Sequence, residues 1–142
     1  MDYDDQFPTC LKTYATLRIF SNDIPAEEIS TSLGVTPSTC FNKGEGFGSR
    51  GLKRKLNGWF LTTEGILESK DCRRHLDWVL ASIESKKDKF IELREKLVEV
   101  DITCFWLSGG QGGPIISSLQ MKQLGALEID IWWDVYFDQP KP

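Results

Sequence analysis

The hydrophobic period of this chain switches between two residues and about 3.6 residues several times, and the order of the switches limits what it can fold into. The first ordered stretch, Tyr14–Phe20, alternates. Ala15, Leu17 and Ile19 share one side, and Thr16 and Arg18 the other, as in a half-buried strand. Ser21-Asn22-Asp23 interrupts it. Pro25 suits a first helical position, where a missing N–H is harmless. Glu27 and Glu28 favour the positive N-terminal end of a helix, Ile29 and Leu33 form one apolar seam, and Gly34 fits a left-handed C-cap. The spacing predicts a helix over 25–33.

Thr39-Cys40-Phe41 reads as a short strand. A glycine-rich stretch, Gly44–Gly51, follows and leads into the basic run Lys53-Arg54-Lys55. Its glycines and self-repelling charges predict a mobile hairpin loop over 44–56. Asn57-Gly58 is a tight-turn signal before a strand at Trp59–Thr63. From Ser69 the period is helical: Leu76, Val79, Leu80 and Ile83 form one stripe, and Phe90, Leu93 and Leu97 a second. Ser85 and Asp88 mark a fresh start or a break between them. Asp101–Leu107 is apolar enough to predict a strand buried on both faces. Gly109–Pro114 is a loop, and Ser117–Leu124 a short helix closed by Gly125. The last strand, Glu128–Phe137, has the clearest alternation. Ile129, Ile131, Trp133, Val135 and Phe137 point one way, and Glu128, Asp130, Trp132, Asp134 and Tyr136 the other.

Strand, helix, strand, strand, long helical segment, strand is the order of a ferredoxin-like split βαβ sandwich, an α+β fold with helices on one face of an antiparallel sheet. The final helix and strand are an extension. The boundaries are a flexible lead-in over 1–12, a single domain over 13–138 and a tail over 139–142. The periodicities place Ala15, Leu17, Ile19, Ile29, Leu33, Leu76, Val79, Leu80, Ile83, Phe105 and Ile131 in one core.

At 142 residues the chain can bury roughly 70% of its unfolded surface without a metal or disulfide staple. Its net charge of −4 has the wrong sign for a nucleic-acid backbone binder, so no nucleic-acid partner is expected. The acidic start, Met1-Asp2-Tyr3-Asp4-Asp5, is no secretory leader, and no apolar run approaches a membrane span. Cys10, Cys40, Cys72 and Cys104 are too dispersed for a zinc or disulfide framework. Free thiols, a cytoplasmic location and no membrane association are the expectation.

Gly46-Phe47-Gly48-Ser49-Arg50-Gly51 spells G-x-G-x-x-G, but Leu52–Gly58 is not the amphipathic helix that a dinucleotide fingerprint must open. Gly109-Gly110-Gln111 matches a peptide-release tripeptide with nothing else to support it. Cys72 and His75 are three apart on one predicted helix, without the orienting acid a nucleophilic pair needs and with too few ligands for a metal. Asp130 and Asp134 stand about 13 Å apart on an extended strand, too far for paired acid–base work. No catalytic residue, metal or cofactor is therefore expected. With Trp132 between them and Tyr136 beyond, the two aspartates instead read as a recognition surface for a basic partner.

Several of these stretches also carry a resemblance. Ala15–Phe20, Asp23–Ile29, Leu33-Gly34-Val35-Thr36-Pro37, Phe41-Asn42-Lys43-Gly44 and Gly58-Trp59, together with the loop, helix and Ile-Asp-Ile strand of Leu107–Phe137, resemble domain-of-unknown-function family 4279 over roughly residues 13–137. The resemblance implies a small cytosolic bacterial protein and carries no activity. By analogy of class, similar small domains often serve as immunity proteins. The expected function is a non-enzymatic binding module, most concretely an immunity-type protein that occludes a toxin or other protein partner through Asp130, Trp132, Asp134 and Tyr136. The alternative is a small-ligand or nucleotide-binding regulatory domain using Gly46, Gly48, Arg50 and Lys53. The oligomeric state is not legible.

Overall fold

The computed structural model describes residues 1–138; the tail expected over 139–142 lies outside them. The elements are β1 (Cys10–Ser21), α1 (Ala26–Leu33), β2 (Thr39–Phe41), β3 (Gly46–Phe47), β4 (Leu52–Lys53), β5 (Asn57–Thr62), α2 (Cys72–Ile83), a 3-10 turn at Glu84–Lys86, α3 (Lys87–Glu95), β6 (Glu99–Ser108), α4 (Ser118–Leu127) and β7 (Asp130–Phe137). They form an α+β fold. A five-stranded sheet runs in the order β2-β5-β1-β6-β7, and β3 and β4 make a separate hairpin. β1 is antiparallel to both β5 and β6, and β2 is antiparallel to β5. β7 joins β6 in parallel, so the sheet is mixed rather than antiparallel throughout. The connection explains this. A helix between neighbouring strands carries the chain back to its starting end, so the next strand runs the same way.

One face of the sheet is covered and the other is open. Ala15, Leu17 and Ile19 of β1 are fully buried, while Tyr14, Thr16, Arg18 and Phe20 on the other side are half-buried. Ile29 and Leu33 of α1, Leu76, Val79, Leu80 and Ile83 of α2, and Phe90 and Leu93 of α3 complete the core with Trp59 and Ile102. The Trp59 indole N–H donates to the Ser30 hydroxyl at 2.9 Å, tying α1 to β5. A smaller cluster of Cys10, Cys72 and Trp106 sits beside it, with Phe7 edge-on to Trp106.

Two expected core residues are only half-buried, Phe105 away from the core and Ile131 packed against its margin. Phe105 is on the open face, stacked on Tyr14 at 4.7 Å between ring centres, and its neighbours Cys104 and Trp106 are buried instead. β6 thus alternates like β1. Aromatic pairing on the open side made its sequence resemble a strand buried twice. Ile131 is only half-buried, because β7 is an edge strand.

The ends of elements depart from expectation for local reasons. The segment expected as a flexible lead-in is tied down. The Asp4 N–H donates to Asp71 at 2.7 Å, the Lys70 N–H to the Asp5 carbonyl at 3.0 Å, and Tyr3 bonds Asp77. α4 opens on a capping box between Ser117 and Gln120 and runs through Gly125 to Leu127. The cap is Glu128, a left-handed non-glycine residue with φ of 55°. Arg94 donates to the carbonyls of Leu127 and Glu128 at 2.8 Å each, placing a cation on the negative end of that helix.

Gly58 lies opposite Phe41 in the β2–β5 register, and the Phe41 ring lies over it. A Cβ there would stand 2.2 Å from Phe41 Cζ. Gly125, within a helix, has open space around it. Gly58→Ala should therefore lower stability by about 1–3 kcal/mol through overpacking. Gly125→Ala should raise it by about 0.5–1 kcal/mol through helix propensity. Urea unfolding of the two variants checks both signs.

Candidate functional site

β7 carries the most exposed aromatic surface of the sheet. In its register with β6, Asp130 lies beside Asp101, Trp132 beside Thr103, Asp134 beside Phe105 and Tyr136 beside Leu107. Side chains paired in this way share a face, which here is the open one. The four expected partner-binding residues are thus brought together along one strand. Trp132 is 61% exposed and Tyr136 51%; Asp130 and Asp134 are also exposed. Trp132 is not buried beneath α4: that helix sends Leu124 and Leu127 into the core, and Trp132 only borders the hollow beside it.

An aromatic row leads inward from β7. Tyr136 lies 5.3 Å from Phe105, which stacks on Tyr14 of the central strand. Burial first, then the nearby Glu64 and Asp134 carboxylates, push the Tyr14 hydroxyl up to about 12. Arg18, the cation in the middle of this face, is held by Asp101 through bonds of 2.8 and 2.7 Å. That pairing neutralises Asp101 and leaves Asp130 and Asp134 to set the charge beside Trp132.

The other side of β7 is exposed as well. Phe137 is 69% exposed, and Trp133 and Val135 are also accessible. α4 reaches only the start of the strand, leaving a concavity of about 650 Å³ between Ile116, Met121 and Leu124 and the strand residues Ile131 and Trp133, with Asp130 and Trp132 at its border. The outer edge of β7 has no strand beside it among the described residues. Alternation alone predicted one accessible face and missed the other. Periodicity reports which residues share a side, not whether another element covers it.

The remaining expected sites separate. Gly46 and Lys53 are paired across the β3–β4 hairpin, and Gly48 and Arg50 belong to its turn. Gly48 and Gly51 have φ of 66° and 69°, so they serve to reverse the chain. No helix opens after them. The segment expected as a hairpin loop forms a short hairpin, further joined by bonds between Gly44 and Arg54 and between Arg54 and Glu45.

Cys72 and His75 share α2 but face different neighbours. The Cys72 thiol donates to the Ile115 carbonyl at 3.0 Å. Burial pushes that thiol up to about 12. His75 is fully buried between the Ser69 carbonyl, 2.7 Å from Nε2, and the Thr63 hydroxyl, 2.6 Å from Nδ1. A carbonyl only accepts, so Nε2 carries the proton and Thr63 donates to Nδ1. His75 is a neutral connector between α2 and β5. All four cysteines are free thiols. Among the described residues no group of three or more His, Cys, Asp or Glu side chains could hold a metal ion, and no helix is long and apolar enough to cross a membrane.

Fold and site together define an α+β protein with an accessible aromatic and acidic edge strand. The family described as Domain of unknown function (DUF4279) matches residues 11–138, and the chain belongs to that family. None of the curated proteins and none of the solved structures compared with it matches.

Acid sensitivity follows from the α2 N-terminus. Burial alone would raise the Asp71 carboxyl, but bonds from the Arg73 side chain and from the N–H groups of Asp4 and Arg73 hold it below the usual range. Burial lowers the His75 imidazole. Each folded value lies below its unfolded one, so each contribution is full above the unfolded value and is lost as pH falls through the folded one. Stability should decline below about pH 6.5 through His75 and again below about pH 4 through Asp71. Asp71→Asn should flatten the second decline in urea titrations carried from about pH 5 to below pH 4. An unchanged acid limb would show that Asp71 is not its source.

Proposed function

We propose that this protein is a non-enzymatic binding module that holds a protein partner against β7, most concretely an immunity-type protein of the bacterial cytoplasm that occludes a basic toxin. The observation that carries the reading is the exposure of Trp132 between two carboxylates, Asp130 and Asp134, that have no ion-pair partner among the described residues, on a strand whose outer edge is free of any other described strand. A large aromatic at the centre of such a patch supplies the desolvated anchor, and flanking acids steer a cationic partner. The free edge offers backbone donors and acceptors for an added strand.

The strand order supports a finer description of the scaffold. β1-α1-β2 and β5-α2-α3-β6 interleave as β2-β5-β1-β6, the arrangement of a ferredoxin-like split βαβ sandwich, with α4 and β7 appended. In this reading the appended unit is the part that recognises the partner. The conserved logic of such scaffolds, function grafted on a common fold, makes an added edge strand a natural place for it.

Trp132→Ala should weaken the complex by about 2 kcal/mol, mostly through faster dissociation. Asp134→Lys should slow association, and its effect should shrink at high salt. The test is capture from the source cytosol with wild type and both variants as bait, followed by kinetics on the captured protein. Melting temperatures should stay within a few degrees of wild type, because neither side chain is buried. A folded Trp132→Ala variant that binds the captured protein at full affinity rules this surface out.

A further inference from the structure

At the edge of the sheet opposite β7, a second surface has the reverse charge. Arg54 directly follows β4, and its guanidinium lies 3.9 Å from the centre of the Phe41 ring and 4.2 Å from that of Phe47. The flanking rings satisfy the flat faces of the cation, not the N–H donors in its plane. The backbone beneath is fixed. The Gly44 N–H donates to the Arg54 carbonyl at 2.9 Å, and the Arg54 N–H to the Glu45 carbonyl at 2.8 Å. Among the described residues no carboxylate pairs with Arg50, Lys53, Arg54 or Lys55. Unpaired cations concentrated on a chain of net charge −4 leave a local field that an anion would neutralise.

The same residues border a hollow. Phe20, Phe41 and Phe47, with Lys53, Arg54 and Lys55, line a concavity of about 410 Å³ between the hairpin and the open face of the sheet. Leu52 of the same hollow is 51% exposed, so apolar surface is held open there rather than buried. Apolar walls with a few convergent polar groups, at a volume within about 300–1,000 Å³, are the makings of a small-molecule site.

We propose that this hollow binds a phosphate monoester carried on a flat aromatic body, the chemistry of a nucleoside monophosphate. The aromatic and aliphatic walls take the ring. The guanidinium offers paired N–H donors that match two phosphate oxygens, and its rotamer is set in advance by Phe41 and Phe47. Lys53 and Lys55 add point charges that favour a dianion over a carboxylate. The site owes nothing to the glycine pattern as a dinucleotide fingerprint, since those glycines turn a hairpin and no helix N-terminus follows them. It is also separate from β7, which is at the other end of the sheet.

The experiment is a calorimetric titration of the full chain with the four nucleoside 5′-monophosphates, their parent nucleosides and inorganic phosphate. At least one monophosphate should bind saturably at a single site with a sub-millimolar Kd. It should bind about tenfold or more tightly than its nucleoside or inorganic phosphate, a difference of about 1.4 kcal/mol. Arg54→Gln should weaken it by about tenfold or more, and Arg54→Lys should not restore it, because an ammonium keeps the charge without the fork. Trp132→Ala should leave this affinity unchanged. Amide chemical-shift changes in the wild-type protein should centre on Phe41, Phe47 and residues 52–56, a readout independent of any variant's stability. The proposal is overturned if no monophosphate binds saturably, if inorganic phosphate binds as well (an adventitious ion only), if the shifts lie elsewhere, or if folded Arg54→Gln binds like wild type.

Discussion

Everything in this fold hangs on β1, a strand paired on both sides and covered on only one. Nearly its whole length is antiparallel to β6 and its second half, Thr16–Ser21, also to β5, so the backbone groups of that half are consumed in two ladders. Ala15, Leu17 and Ile19 then point beneath the helices with no exposed surface at all. Buried side chains of this kind each contribute about 1.5–3 kcal/mol when large, and they fix the register, because a one-residue slip would exchange the two faces. The slip would bring Arg18 into the core and break its paired bonds with Asp101. The Thr63 hydroxyl, which accepts from the Ala15 N–H at 3.0 Å and meets His75 at 2.6 Å, links the end of β5 to both β1 and α2. A residue that resembled half of a catalytic pair in sequence is thus part of the scaffold.

That one-sided cover decides where function can lie. The helices occupy one face, and the open face collects what remains: the Tyr14–Phe105–Tyr136 row toward β7, and Phe20, Phe60 and Phe41 toward β2. Aromatic pairing makes this face partly self-covering, which explains why Phe20, Phe60 and Phe105 are half-buried without any helix above them. The charges separate along the same axis. Asp130 and Asp134 lie on β7, and Lys53, Arg54 and Lys55 flank the hairpin next to β2. A small negative net charge therefore conceals two fields of opposite sign at opposite edges.

The sequence made this architecture legible wherever side chains alternate against a covered face. Ala15, Leu17 and Ile19 and the α2 stripe of Leu76, Val79, Leu80 and Ile83 are buried as their spacing requires. It misled where a side chain is covered by something other than the core. Phe105 reads as core because phenylalanine is apolar, but a stacked tyrosine shields it instead of a helix. Gly125 reads as a helix stop, yet Arg94, thirty-odd residues upstream, supplies the capping donors at Leu127 and Glu128. The candidate site was legible only as a set of residues sharing a side. Its accessibility depends on how far α4 reaches along β7, and its sign depends on Arg18 removing Asp101 from the balance. Both are long-range facts that no local pattern records.

The edge strand poses a physical problem of its own. A long, accessible, aromatic strand with a free edge templates pairing with any other extended chain, and proteins usually blunt such edges with charge, proline, bulges or cover. β7 has no register shift against β6 and carries Trp132, Trp133, Val135, Tyr136 and Phe137 in the open. Its two aspartates, Asp130 and Asp134, are the one blunting device on the strand itself. In an antiparallel pairing of two such strands centred on Trp133, each Asp134 falls opposite a Trp132 and each Asp130 opposite a Tyr136. The four carboxylates would then crowd onto one face of the joined sheet, where their mutual repulsion opposes self-association. A basic partner reverses that sign. The same two acids that discourage a second copy favour a cationic strand or loop, so Asp130 and Asp134 serve selection as much as attraction. This double role is why the strand can remain aromatic and uncovered without being indiscriminate.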